Sequence, residues 1–305
     1  MKKSNYRVNH IRKEKKKRTR KRLIIMGTLA ALIICGTVVT TQIVGGVALE
    51  DGIVVQENPI KRQLEDTDLV SGSNVTYEGK RHAIDVNVVA DMLKGNYTGE
   101  EKYVFLTFDD GPSPNTEKVL NVLKEKDVKG TFFVLGQRLE DERSKNTLKR
   151  TLKEGHAIAN HSYTHNFKKL YPGNRINIEA FMNEFDQTNN AMKEILGSEF
   201  NSNVLRMPGG YNSREFYKDA SLPAFNEKLS ERGIVSIDWN ALNGDAEGKP
   251  YSTEEMMNYV KRSTNNKNHV VILMHDTFGK EKTAEMLPQI IDYYKSEGYE
   301  FKTMM

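Results

Sequence analysis

Two adjacent carboxylates, Asp109 and Asp110, end an apolar and aromatic run, Tyr103–Phe108, and precede a Gly111-Pro112 break. Burying neighbouring carboxylates is costly unless a metal, an opposite charge or a shared proton compensates. Taken alone, the pair has a plain reading, with one Asp capping the next helix and the other in water. A second stretch, His161-Ser162-Tyr163-Thr164-His165, sets two imidazoles four residues apart, which on a helical turn share one face and can clasp one metal ion. Ser162 stands where the metalloprotease pattern has Glu, so a base must come from elsewhere. An aspartate completes a set of two His and one carboxylate, which leaves a position for water, as in catalytic zinc sites. Successive strand residues point to opposite sides, so the two aspartates are expected to divide the work. One would bind the metal. The other would act as general base on a water whose pKa zinc lowers to about 7.

These residues need a scaffold that brings them to one place. Strands are expected at Tyr103–Phe108, Thr131–Leu135, His156–Asn160, Val204–Met207, Ile234–Trp239, Val270–Met274 and Phe301–Met304. Helical spacing recurs around Val119–Leu123, after a Ser113-Pro114 start signal, and at Leu148–Leu152, Ile178–Leu196, Leu222–Leu229, Glu254–Ser263 and Ala284–Tyr294. Such alternation marks an α/β architecture with a parallel sheet, either closed into a barrel or open. The reactive side chains fall at the carboxyl ends of these strands: Asp109 and Asp110, His161, Arg206 with Pro208-Gly209-Gly210, Asp238-Trp239, and His275-Asp276. In α/β barrels and open sheets alike, active sites gather at that edge.

Thr107-Phe108-Asp109-Asp110-Gly111, His161–His165, Arg206-Met207-Pro208-Gly209-Gly210, Asp238-Trp239 and Leu273-Met274-His275 resemble, in order and rough spacing, the five motifs of the polysaccharide deacetylase (NodB-homology, carbohydrate esterase family 4) family. The resemblance covers about residues 101–305. The expected fold is a distorted (β/α) barrel of about seven parallel strands, preceded in this chain by one transmembrane helix. The resemblance also implies metal-dependent removal of acetyl groups, expected from N-acetylglucosamine of peptidoglycan. Position by position, it makes Asp109 the base, Asp110, His161 and His165 the metal ligands, and Arg206 the group that orients and charges the base. Gly209 matches the backbone N–H donor to the oxyanion, where the family often has Tyr. His275 matches the acid that protonates the departing amine, and Asp238 the carboxylate that keeps it protonated. Trp239 and Leu273 match the pocket for the acetyl methyl, although Leu273 also reads as plain core. Zinc is the expected ion, with cobalt, manganese, nickel or iron as alternatives. Asp245 is read as shaping a loop over the groove or touching sugar, His156 as structural, and Asp276 as holding the loop after His275.

Charge is unevenly placed. Residues 1–22 hold 12 Lys/Arg and one Glu, leaving 33 basic and 40 acidic residues beyond them, a net of −7. A nucleic-acid partner is therefore not expected. No charge occurs from Leu23 through Ala48, a run long enough to span a bilayer. Basic residues before it and Glu50-Asp51 after it predict a single pass, with a cytoplasmic N-terminus and an extracellular remainder. A cleaved signal is the competing reading, disfavoured by the length of both segments. The only cysteine, Cys35, lies in that run, so no disulfide is expected outside the membrane. The expected organisation is a basic tail (1–22), an anchor (23–48), a stalk or linker (49–100) and a catalytic domain (101–305). The partners expected are the membrane, through residues 23–48, and peptidoglycan glycan strands. Alternatives are deacetylation of chitooligosaccharide, muramic acid or acetylxylan, or a surface glycan-binding protein without catalysis.

Overall fold

The computed structural model describes residues 63–305. The tail and the expected span lie outside these residues. Among the described residues, no helix is long and apolar enough to cross a membrane.

The chain opens with helix α1 (Tyr77–Lys80), strand β1 (Ala83–Ile84) and helix α2 (Val86–Lys94). Then follow β2 (Tyr103–Asp109), α3 (Pro114–Glu125), β3 (Thr131–Val134), α4 (Glu142–Lys153), β4 (Ala157–Asn160), α5 (Phe167–Leu170) and α6 (Ile178–Leu196). The second half comprises β5 (Val204–Leu205), α7 (Tyr211–Phe216), α8 (Leu222–Glu231), β6 (Val235–Ser236), β7 (Ala241–Leu242), α9 (Thr253–Thr264), β8 (His269–His275), α10 (Glu281–Ser296) and β9 (Glu300–Met304). Start signals act as expected: Ser113 accepts from the Asn115 N–H and closes a capping box with Thr116, with Pro114 in the first turn of α3.

All strand pairing is parallel, in the order β7-β8-β2-β3-β4-β5-β6, and β9 joins the first half of β2 and carries β1 on its other side. The two outermost strands, β6 and β7, are consecutive in the chain, joined only by Ile237–Asn240. Five Cα steps reach at most about 19 Å. A flat seven-stranded sheet would hold its edges about 29 Å apart. The sheet therefore curls into a distorted α/β barrel that does not close by hydrogen bonds between β6 and β7.

Strand alternation sorts the core into two layers. Val104, Leu106, Phe108, Ile158, Val270, Ile272 and Met274 face outward onto the helices, packing with residues such as Leu120, Leu123, Leu287 and Ile291. Phe105, Phe133, Ala159 and Val271 face inward. The helix α2 covers this interior with Val86, Val89 and Met92, all buried, while the Val86 N–H donates to the Met305 carbonyl. The compact unit accordingly runs from Leu64 to Met305, and residues 64–100, within the stretch read as a stalk, belong to it.

The expected strand Ile234–Trp239 is cut to Val235–Ser236. The Arg206 guanidinium takes the carbonyls of Ile237 and Asp238 at 3.0 and 3.2 Å, removing them from any ladder. The two-residue strands β1 and β7 were not expected; neither is long enough to show a period of two.

Candidate active site

Asp109 ends β2 on the interior face, two residues beyond Thr107, and is paired in register with His275 at the end of β8. Only 3% of its surface is exposed. Arg206, wholly buried, compensates: its Nη1 donates to Asp109 Oδ1 at 2.8 Å and to Thr107 Oγ1 at 2.7 Å. The guanidinium lies 4.1 Å from the Phe133 ring centre and 5.6 Å from that of Trp239. A buried charge held by four hydrogen bonds and two aromatic rings cannot swing, so Asp109 Oδ1 is pinned and Oδ2 faces the site.

Asp110 does not sit on the opposite strand face as alternation alone implies. Its φ of 73° turns the chain left-handed as β2 ends, and both carboxylates converge on His161. The His161 Nε2 lies 3.5 Å from Asp110 Oδ1 and 3.7 Å from Asp109 Oδ2, and His165 Nε2 is 3.7 Å from Asp110 Oδ1. The histidines do not share a helical turn either. They lie on a loop after β4 in which Ser162 and His165 have φ of 69° and 55°.

These donors fit a divalent cation. Ligand atoms of Asp110, His161 and His165 all lie within 4.8 Å of one another. Zinc bonds of about 2.0–2.1 Å at tetrahedral angles set donors about 3.4 Å apart, close to the 3.5 and 3.7 Å from Asp110 Oδ1 to the two histidine Nε2 atoms. Asp110 Oδ1 is buried with no hydrogen-bond partner among the described residues. The His161 Nδ1–H donates to the Arg206 carbonyl at 2.8 Å, which leaves the Nε2 lone pair facing the carboxylates. Burial, with His161 beside it, lowers the His165 pKa from its ordinary value despite the aspartates, keeping that ring neutral and able to ligate.

Across the site, His275 pairs with Asp245. The His275 Nδ1–H donates to Asp245 Oδ1 at 2.8 Å, and the His275 backbone N–H donates to Oδ2 at 2.8 Å. Thr283 Oγ1 donates to the same Oδ2. Burial opposes a charge on His275, but the bond and charge of Asp245, with Asp109 and Asp110 nearby, raise its pKa to about 9. The carboxylate expected in this role was Asp238. Its two oxygens instead accept the backbone N–H groups of Tyr211 and Asn212, at 2.8 and 2.7 Å, at the start of α7. The reason is topological: Asp238 sits in the β6–β7 link on the Arg206 side, whereas the loop after β7 lies beside β8. Asp245 carried only the local signal of a turn, Asn243-Gly244, in which its own N–H donates to Asn243 Oδ1.

Among the described residues the Gly209 N–H has no hydrogen-bond partner. Its φ is +79°, a left-handed conformation that favours glycine, and a Cβ there would press on the half-exposed Phe167 ring at 3.0 Å. Trp239 lines an open cleft of about 360 Å³ with Leu93, Lys94, Tyr211 and Asn212. Leu273 lies on the interior face beside Thr107 and Leu242, 5% exposed. His156 is remote from the cluster: its Nδ1 accepts the Gly130 N–H at 3.1 Å, and burial lowers its pKa to about 3. Asp276 is fully enclosed, with Thr116 Oγ1 donating to Oδ2 at 2.5 Å, and burial raises its pKa to about 7.

Residues 96–224 match the model of the polysaccharide deacetylase family. A peptidoglycan-N-acetylglucosamine deacetylase from Bacillus cereus is 33% identical over 216 residues, 67% of this chain and 69% of that protein. A bifunctional xylanase/deacetylase from Pseudobutyrivibrio xylanivorans is 32% identical over 69% of this chain, which spans only 31% of that longer protein. Among solved structures, a Streptococcus mutans family-4 carbohydrate esterase superposes with a TM-score of 0.73 at 37% identity, covering 79% of this chain and all of that one. The chain belongs to the polysaccharide deacetylase family. It is, with that family, a hydrolase.

Proposed function

We propose that this chain removes the acetyl group from N-acetylglucosamine in peptidoglycan, with a divalent ion, zinc first, held by Asp110, His161 and His165. The observation that carries the chemistry is the facing of two unlike pairs, Asp109–Arg206 and His275–Asp245, across one three-donor cluster. When bound, the ion would supply positive charge that acidifies a water and polarises the acetyl carbonyl. Asp109, its Oδ1 fixed by Arg206, takes a proton from the attacking water through Oδ2. The Gly209 N–H faces the oxygen that gains charge as the carbonyl carbon becomes tetrahedral. His275, charged through Asp245, gives its proton to the amide nitrogen. The carbon–nitrogen bond then breaks, giving acetate and a free amine. Trp239 and Leu273 are assigned to the acetyl methyl.

The choice of peptidoglycan rests on the Bacillus cereus relative and on the N-terminal stretch, for which we propose a single-pass anchor over residues 23–48 with the domain outside the cell. A tethered domain meets the wall first. The xylanase/deacetylase relative supports acetylxylan as the second reading. The test is acetate release by the full chain from peptidoglycan, chitopentaose and acetylxylan, after chelation and again after zinc. Zinc-restored release from peptidoglycan supports the proposal. Release only from acetylxylan moves it to an ester substrate, and no release from any glycan sinks the catalytic reading.

A further inference from the structure

The loop bearing His161 and His165 belongs to no helix or strand, and two of its residues hold left-handed φ values that are costly for a residue with a Cβ. Something outside the loop must hold it. Part of the support is from the turn after β3: the Gly136 and Gln137 N–H groups donate to the Ser162 and Tyr163 carbonyls at 3.1 and 3.0 Å. The Ser162 N–H donates to Asn160 Oδ1 at 2.9 Å, and three further donors of the loop converge on one side chain. Glu184, in the middle of α6, has no exposed surface. Its Oε2 accepts the backbone N–H groups of Tyr163 and Thr164, at 3.2 and 2.9 Å, and its Oε1 accepts the Thr164 hydroxyl at 2.6 Å. The Lys169 ammonium, 2.9 Å from Oε1, balances the charge. All three of the loop's donors to Glu184 lie between the two histidines.

We infer that Glu184 is a positioning residue for the metal site, fixing the span Tyr163–Thr164 so that His165 faces His161 and Asp110. This rests on the metal reading given above. The other two donors have anchors of their own. His161 is tied by Nδ1 to Arg206, and the Asp110 N–H donates to the Phe133 carbonyl at 3.2 Å. His165 follows the path of the loop, its N–H donating to Ser162 Oγ at 3.1 Å. A fully buried carboxylate in a helix is costly to keep, and a helix of this amphipathic pattern would tolerate Leu there; what Glu184 adds is three bonds to one loop. Burial acts to raise its pKa, yet the Thr164 and Lys169 bonds leave it lowered, so it accepts as an anion.

The measurement is the zinc dissociation constant of the full chain, purified in detergent, by competition with a chromophoric chelator. Glu184→Ala is expected to weaken zinc about 10–100-fold, as for other groups that orient ligands. Glu184→Gln keeps one oxygen for both backbone N–H groups and is expected to stay within about threefold. Leu287→Ala, in the core away from the site, should lose comparable thermal stability and leave zinc affinity unchanged. Should Glu184→Ala not fold, Thr164→Val removes one donor and is expected to weaken zinc roughly three- to tenfold. Unchanged affinity in Glu184→Ala or Thr164→Val, or an equal loss in Leu287→Ala, overturns the inference while leaving the metal site standing. A wild-type chain that binds no divalent ion overturns both.

Discussion

Asp245→Asn separates the role of His275 as an acid from its place in the fold. The asparagine oxygen can still accept from His275 Nδ1–H, but the negative charge is gone. In the native site the His275 pKa is raised to about 9 by Asp245 against the opposing effect of burial. Without that charge, burial, the largest single influence, acts against only the weaker pull of Asp109 and Asp110, and the value should fall to the ordinary one of about 6.5. At pH 8 the protonated fraction of His275 then drops from about 0.9 to about 0.03, a loss of roughly 30-fold in kcat/KM if that proton goes to the leaving amine. The assay is kcat/KM for acetate release between pH 5 and 10. The native alkaline limb should lie near 9 and that of Asp245→Asn near 6.5, with the two rates approaching each other at low pH. Asp238→Asn, which weakens the start of α7, should leave the limb in place. A limb that stays near 9 in Asp245→Asn, or one that moves in Asp238→Asn instead, would falsify the assignment. Stability follows the same linkage. A histidine whose folded pKa is raised contributes stability fully below about pH 6.5, and loses that contribution as pH rises through about 9. The destabilisation of Asp245→Asn should therefore be largest near pH 6 and shrink toward pH 10.

Three further outcomes are expected. Arg206→Ala leaves Asp109 buried without its partner, so urea unfolding should show a loss of about 3–5 kcal/mol along with lost activity; a loss under 1 kcal/mol would mean the pair is not buried as described. Zinc at about 100 times its Kd should stabilise the native chain by about 2.7 kcal/mol, and Asp110→Ala should abolish that rise in Tm. A rise that persists in the variant places the ion elsewhere. A fragment of residues 101–305 lacks Val86, Val89 and Met92, each buried and worth about 1.5–3 kcal/mol. It should fail to unfold cooperatively, whereas residues 63–305 should do so, and equal cooperativity in both would support a boundary at 101.

What was legible in the sequence is what local chemistry dictates. The long strands β2 and β8 announce themselves by apolar runs ending in Asp109 and His275, and α6 has the bounds its periodicity predicts. Asp110, His161 and His165 were nameable from residue type and spacing, and the structure gathers their donor atoms. Tertiary structure decided the rest. Whether the sheet stays open or curls depends on β6 and β7 being joined by four residues, a fact about strand order that no period reveals. The convergence of Asp109 and Asp110 depends on one left-handed residue, where strand alternation predicts divergence. The partner of His275 depends on which loop lies beside β8, and two aspartates seven residues apart, Asp238 and Asp245, are equivalent to any local rule. Glu184 reads in sequence as one more charge on a helix. Its meaning comes from three donors that fold onto it from a loop about twenty residues away, a contact that exists only once the chain is packed.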